Sequence, residues 1–133
     1  RKVIIVKNTN RFTTKNKKER IIPMILVLQE LFDDCFNRDK LINNVEYVFF
    51  RVKGIKLNEN YVSKQFKKSV REAGLNEKIH FHSLRHSFAS NLVQKGASIY
   101  VVKELLGHES ITTTQIYSHL NNVDLSQAMK LLE

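Results

Sequence analysis

The sequence predicts a mainly α domain with a small antiparallel β-sheet, an α+β class, on three observations. Apolar residues recur at helical spacing through most of the chain beyond residue 23. Three of the four glycines, Gly74, Gly96 and Gly107, stand just past such stretches, where a left-handed residue ends a helix. Ahead of residue 23, two short β-branched runs flank a polar stretch, the pattern of paired strands.

Residues 3–6 and 20–22 are the two strands, so residues 1–22 form a β-hairpin with a long turn. Charge concentrates there: residues 1–20 hold eight basic side chains against Glu19 alone. Pro23 suits the first turn of a helix whose packed face would be Ile25, Leu28, Phe32, Cys35 and Phe36. Residues 45–57, with Tyr47, Val48, Phe49 and Phe50 before a turn at Gly54, read as a short strand or extended segment. Asn58 or Asn60 caps the next helix. Val62, Phe66, Val70 and Ala73 line one of its faces, and Lys64, Lys67, Lys68 and Arg71 the others. A basic, solvated face accounts for those lysines, and contact with a DNA backbone is the sharper reading.

Leu84, Phe88 and Leu92 fall four apart and predict a helix over residues 83–95, buried along that stripe with Ala89 and Val93 on its flank. His82, Arg85 and His86 point to another side. Ser98 caps a second helix with Ile99, Val102, Leu105 and Leu106 inward, and Gly107 stops it and delivers His108. Ser110 caps a third short helix that runs through Thr112, Thr113 and Thr114 and carries Tyr117 about two turns later. Residues 122–133 place Leu125, Ala128, Met129 and Leu132 at helical intervals, too few for an isolated helix, so this segment must dock. The expected layout is one domain: hairpin 1–22, helical core 23–121 and docking helix 122–133.

With 42% hydrophobic residues, four glycines and one proline, the 133 residues suffice for a real core and exclude a disordered chain. The net charge of +9 suits a polyanionic partner, nucleic acid first, although basic surfaces also serve solubility. Cys35 is the only cysteine and fits a reduced intracellular protein. No apolar run reaches membrane-spanning length and no signal peptide is visible, so the cytoplasm is expected and a membrane partner is not.

The order His82-x-x-Arg85, Leu106-Gly107-His108, then Tyr117 nine residues on, resembles the catalytic motif of the tyrosine recombinases, the phage integrase family. Leu84 and His86 complete its His-x-Leu-Arg-His block. The run from Thr14 to Pro23 is similar to the family's β-hairpin, and matching on Arg20 and Pro23 selects Lys15 as the hairpin lysine, with Lys17 and Lys18 close by in the same loop. The resemblance implies site-specific recombination or integration of double-stranded DNA through a 3′-phosphotyrosine intermediate, without metal, cofactor or ATP. It also implies assembly with further copies of the chain through residues 122–133, and a bacterial or phage-encoded, nucleoid-associated protein. Candidate catalytic residues are Tyr117, Arg85, His82, His108 and Lys15; candidate DNA contacts are Lys17, Lys18, Arg20, Lys64, Lys67 and Lys68.

The residue types fit that chemistry. Breaking a phosphodiester without a metal needs a nucleophile, cationic donors and an acid for the leaving oxygen. Tyr117 would attack phosphorus, but a phenol with a pKa of about 10 needs help, for which His82 is the natural base. Arg85 can grip two phosphate oxygens with its planar fork, and His108 can donate to another. Lys15, by resemblance, would protonate the departing 5′ oxygen. The family's additional arginine, upstream of the hairpin, has no match here, and the chain starts at Arg1 without a methionine. The expectation is therefore the C-terminal portion of a recombinase catalytic domain, N-terminally truncated and inefficient alone.

Two rivals compete. A non-enzymatic helix-turn-helix DNA binder would use residues 98–107 and 110–117 as its two helices. A zinc hydrolase would use His82 and His86, four apart, although the residues between them are Ser83, Leu84 and Arg85, without a glutamate.

Overall fold

The structure, a computed structural model, describes residues 2–10, 13–14, 17–39, 47–51, 55–120 and 129–130. Strands β1 (Val3–Val6) and β2 (Arg20–Pro23) form a two-stranded antiparallel sheet. Five helices follow among the described residues: α1 (Leu26–Asp39), α2 (Glu59–Glu72), α3 (Ser83–Gln94), α4 (Ile99–Leu106) and α5 (Thr112–Gln115), with a 3₁₀ turn at Ser118–Leu120. The α+β class expected from the sequence is the one found. The chain packs as two units, Arg1–Ile4 with Ile21–Phe81, and Ile5–Arg20 with His82–Glu133. No helix among the described residues is long and apolar enough to cross a membrane.

In the first unit, Pro23 closes β2 instead of opening α1. The Met24 N–H donates to the Lys2 carbonyl at 3.1 Å, so pairing runs past the proline, and the helix begins only at Leu26. Its packed face is narrower than expected: Leu28, Phe32 and Cys35 are half-buried, while Ile25 and Phe36 are exposed. Phe32 meets Phe49 edge-on with ring centroids 6.0 Å apart. Of the short strand or extended segment expected over residues 45–57, the described residues show one bridge, Phe50 to Lys56, and Gly54 lies outside them. Asn58, not Asn60, caps α2, its side chain accepting from the Asn60 N–H at 2.8 Å. Val70 is buried, Val62 and Phe66 half-buried and Ala73 exposed. Phe66 meets Phe81 edge-on at 5.6 Å.

The second unit is built on α3 and α4. Ala89, Val93, Val102, Leu106 and Tyr117 form its buried core, with Leu92, Ala97, Ile99 and Leu120 packed around them. This corrects the expected burial of α3. Leu84 and Phe88 are 52% and 46% exposed, and the line that faces α4 is Ala89 and Val93. Each lies one residue, about 100° of helix, from the expected stripe. Ala89 and Val93 are fully buried with Val102 and Leu106 of α4, and the larger pair lies outside that core. Ser98 caps α4 as expected, accepting from the Tyr100 N–H at 3.3 Å, and Gly107 ends it at φ 70°.

α5 is only four residues long. Ser110 accepts from the Thr112 N–H at 3.2 Å, but Tyr117 lies beyond the helix, between α5 and the 3₁₀ turn. The segment 122–133 lies outside the described residues apart from 129–130.

Candidate active site

α3 begins with the three polar residues that the sequence placed on one side. His82 precedes the helix and makes no side-chain capping bond, so its imidazole is not used to close the helix end. Arg85 reaches to the last residue of α4, where Nη2 donates to the Leu106 carbonyl at 2.7 Å. A cation at the carbonyl end of a helix is held both by that bond and by the helix dipole. His86 turns toward Tyr117: its Nδ1 and the phenolic oxygen lie 2.5 Å apart. Its ring also stands edge-on to His82, centroids 5.3 Å apart.

Gly107 and His108 follow α4. His108 Nδ1 lies 2.9 Å from the hydroxyl of Thr114, which is fully buried, so Nε2 is the ring nitrogen left for a ligand. Across from them the hairpin turn is tied to itself. Thr14, also buried, donates its hydroxyl to the Lys18 carbonyl at 2.9 Å, and the Asn8 side chain receives the Thr14 N–H at 2.8 Å and donates to the Lys17 carbonyl at 2.9 Å. These pieces wall a cleft of about 670 Å³ lined by Arg20, His82, Arg85 and His108, with Thr14 and Glu109. That volume lies in the range of ligand sites. Glu109 is the one acidic residue among its described lining residues.

Burial lowers the Arg85 pKa, the charge of Arg20 lowers it further and Tyr117 opposes. An arginine starts so high that it stays charged regardless. Burial, then the charges of Arg85, His82 and His86, hold His108 below the usual imidazole value, so its neutral form is favoured at neutral pH. Burial raises the Tyr117 phenol, against the pull of Arg85. The phenol therefore keeps its proton at rest, and the short contact is best written with the hydroxyl donating to His86 Nδ1.

Three sequence-predicted catalytic residues, His82, Arg85 and His108, thus share one cleft. Tyr117 is 6% exposed and does not line it; its hydroxyl is turned to His86. Lys15 lies outside the described residues. Of the expected DNA contacts, Arg20 is in the cleft, whereas Lys17 and Lys18 are exposed in the hairpin turn, Lys17 at φ 56°. Lys64, Lys67 and Lys68 lie on α2. Lys67 donates to the Glu77 carbonyl and Lys68 pairs with Glu72 at 3.6 Å.

Sequence reasoning missed Thr114 as the partner of His108 and His86 as the partner of Tyr117. The only signals were the threonine run after Ser110 and the position of His86 beside Arg85.

The phage integrase family's sequence model matches residues 1–123. The chain is 37% identical over 123 residues to the tyrosine recombinase XerD of Corynebacterium glutamicum, covering 90% of this chain and 40% of that protein. The crystal structure of XerA recombinase aligns with 98% of this chain and 46% of its own, with a TM-score of 0.74 at 26% identity. The XerH site-specific recombinase bound to difH substrate, in a pre-cleavage complex, aligns with 98% and 37%, with a TM-score of 0.70 at 32% identity. The chain spans about two fifths of the length of the curated relatives it matches.

Proposed function

Because the chain belongs to the phage integrase family, we propose that it supplies the strand-cleaving chemistry of a tyrosine-type site-specific recombinase acting on double-stranded DNA. The observation that carries this reading is the cleft in which Arg85, His82 and His108 converge, next to a tyrosine whose hydroxyl is bonded to the same helix. Two arginines and two histidines against one carboxylate suit a phosphodiester.

In this reading the Tyr117 oxygen attacks the phosphorus, the bond to the 5′ oxygen breaks, and a 3′-phosphotyrosine forms. His82, which lines the cleft that Tyr117 must enter, takes the phenolic proton, and His86 Nδ1 holds the hydroxyl at rest. Attack requires Tyr117 to swing from its buried resting place into the cleft. Arg85 and His108 Nε2 take up the charge that grows on the non-bridging oxygens. Lys15, which follows the cleft residue Thr14 in sequence, protonates the departing 5′ oxygen. A second strand's 5′-hydroxyl then reverses the step, so rejoining needs neither ATP nor metal. The family's additional arginine has no counterpart in these 133 residues, and the chain alone should cleave more slowly than one that supplies it. Assembly with further copies through residues 122–133, in the cytoplasm where the DNA lies, belongs to the same reading.

The helix-turn-helix reading is disfavoured by α5, whose four residues are too short for a helix that reads the major groove. The zinc reading is disfavoured by Arg85, whose permanent positive charge shares the cleft with His82.

The test is covalent trapping. The protein, as this chain and as the full-length product of its gene, is incubated with sheared genomic DNA of its host, denatured, and partitioned for protein-linked DNA. An adduct recoverable at a defined sequence from the full-length product, and lost in Tyr117→Phe while DNA binding persists, is the expected result. Adduct formation by the Tyr117→Phe protein, or binding without any adduct, would overturn the reading.

A further inference from the structure

Arg20 is the first residue of β2, and its side chain crosses to the end of α4. A Cβ placed on Gly107 would meet Arg20 Nη1 at 1.8 Å and Cζ at 2.6 Å, so the guanidinium lies directly on the glycine backbone. Its Nε is buried and has no hydrogen-bond partner among the described residues. Arginines kept for structure are normally bonded to a carboxylate or to carbonyls, and a buried donor left without a partner needs a reason. Here the neighbouring charge is another guanidinium, that of Arg85, close enough to disfavour its protonated form. Two like charges directed into one cleft repel unless an anion lies between them.

We propose that Arg20 is a second guanidinium for the scissile phosphate, laid over Gly107 so that its donors and those of Arg85 reach the non-bridging oxygens together. Gly107 then has two duties: it ends α4 with a positive φ, and it leaves the space through which Arg20 reaches the cleft. The hairpin thus delivers a charge to the phosphate from its described strand end, independently of its turn. This inference rests on the recombinase reading for the identity of the phosphate, but not for the binding of a phosphate group.

Two experiments separate those dependences. In the first, inorganic phosphate is titrated into this chain, and the arginine side-chain Nε–H resonances are followed by NMR. Saturable shifts of both the Arg20 and Arg85 resonances are expected. An Arg20 resonance that stays fixed while that of Arg85 moves would overturn the proposal, whatever the recombinase assay gives. The second uses the full-length product and a nicked duplex carrying the site recovered by adduct sequencing. Arg20→Gln should slow adduct formation by about a hundredfold, the usual effect of losing one donor to a developing oxyanion, while DNA affinity changes little. Arg20→Lys should recover only part of the rate. On a methylphosphonate linkage, which lacks one charged oxygen, the Arg20→Gln deficit should shrink to less than about tenfold. An undiminished rate on phosphate, or an equal deficit on both linkages, assigns Arg20 a structural role instead. Absence of any adduct with the unaltered protein, alongside a phosphate-responsive Arg20, would sink the recombinase reading and leave the anion site standing.

Discussion

His108 links the chemistry of the cleft to the stability of the unit that contains it. Burial, and after it the charge of Arg85, keep its folded pKa below the unfolded value of about 6.5. The unfolded chain then binds more protons than the folded one between those two values, so stability falls as pH drops through about 6.5 and stops falling below the folded pKa. Urea midpoints measured between pH 7.5 and 5.5 should decline less in His108→Gln than in the unaltered chain; parallel declines would show that His108 does not supply the dependence. Thr114→Val keeps the buried shape but removes the hydroxyl against Nδ1, and should cost roughly 1–2 kcal/mol at pH 7. Positions 82, 85, 108 and 117 were legible through the spacing that resembles the recombinase motif, and the first three line one cleft. Their partners were not: Thr114 and His86 become partners only once α5 and α3 have packed, and nothing local distinguishes Thr114 from Thr112 or Thr113.

Elements carry the next level of information, and Gly107 is where two of them meet. At φ 70° an alanine pays the left-handed penalty, partly offset by a less flexible unfolded chain, for a net loss of about 1 kcal/mol. The Arg20 guanidinium must also move, which costs little because it is the end of a flexible side chain. Gly107→Ala should therefore hold a thermal midpoint within a few degrees of the unaltered chain yet lose cleavage rate about as much as Arg20→Gln. Combining the two should add little, since both remove the same contact. Full additivity, measured as single-turnover rates, would separate the glycine from the arginine. Caps and stops were the most readable part of the sequence, as Asn58, Ser98, Gly74, Gly96 and Gly107 act through their own backbone neighbours. The buried face of α3 was not readable, because Leu84 with Phe88 and Ala89 with Val93 are both apolar lines at helical spacing. Which one turns inward is decided by packing against α4, where Ala89 and Val93 join Val102 and Leu106.

At the scale of the whole molecule, charge is what a DNA partner would meet first, and a count of basic residues overstates how much of it is free. The net charge of +9 predicts binding that weakens steeply with salt, because each neutralised phosphate adds about −0.9 to the slope of log K against log salt concentration. The lysines of α2 are the instructive case. Three of them were candidates for phosphate contact, yet Lys67 is bonded to the Glu77 carbonyl and Lys68 to Glu72, while Lys64 has no such partner among the described residues. An exposed ion pair is weak, so a phosphate could displace it, but the displaced carboxylate would then repel the same backbone. Replacing Lys64 by Gln should flatten the salt slope by about 0.9, and replacing Lys67 and Lys68 as well should add much less than the further 1.8 that two independent contacts would bring. Fluorescence anisotropy with a labelled duplex from 50 to 200 mM salt measures each slope. If the triple variant flattens it by about 2.7, all three lysines reach DNA and the local pairs are spectators; if Lys64→Gln leaves it unchanged, the DNA path does not run along α2 and the hairpin charges carry it.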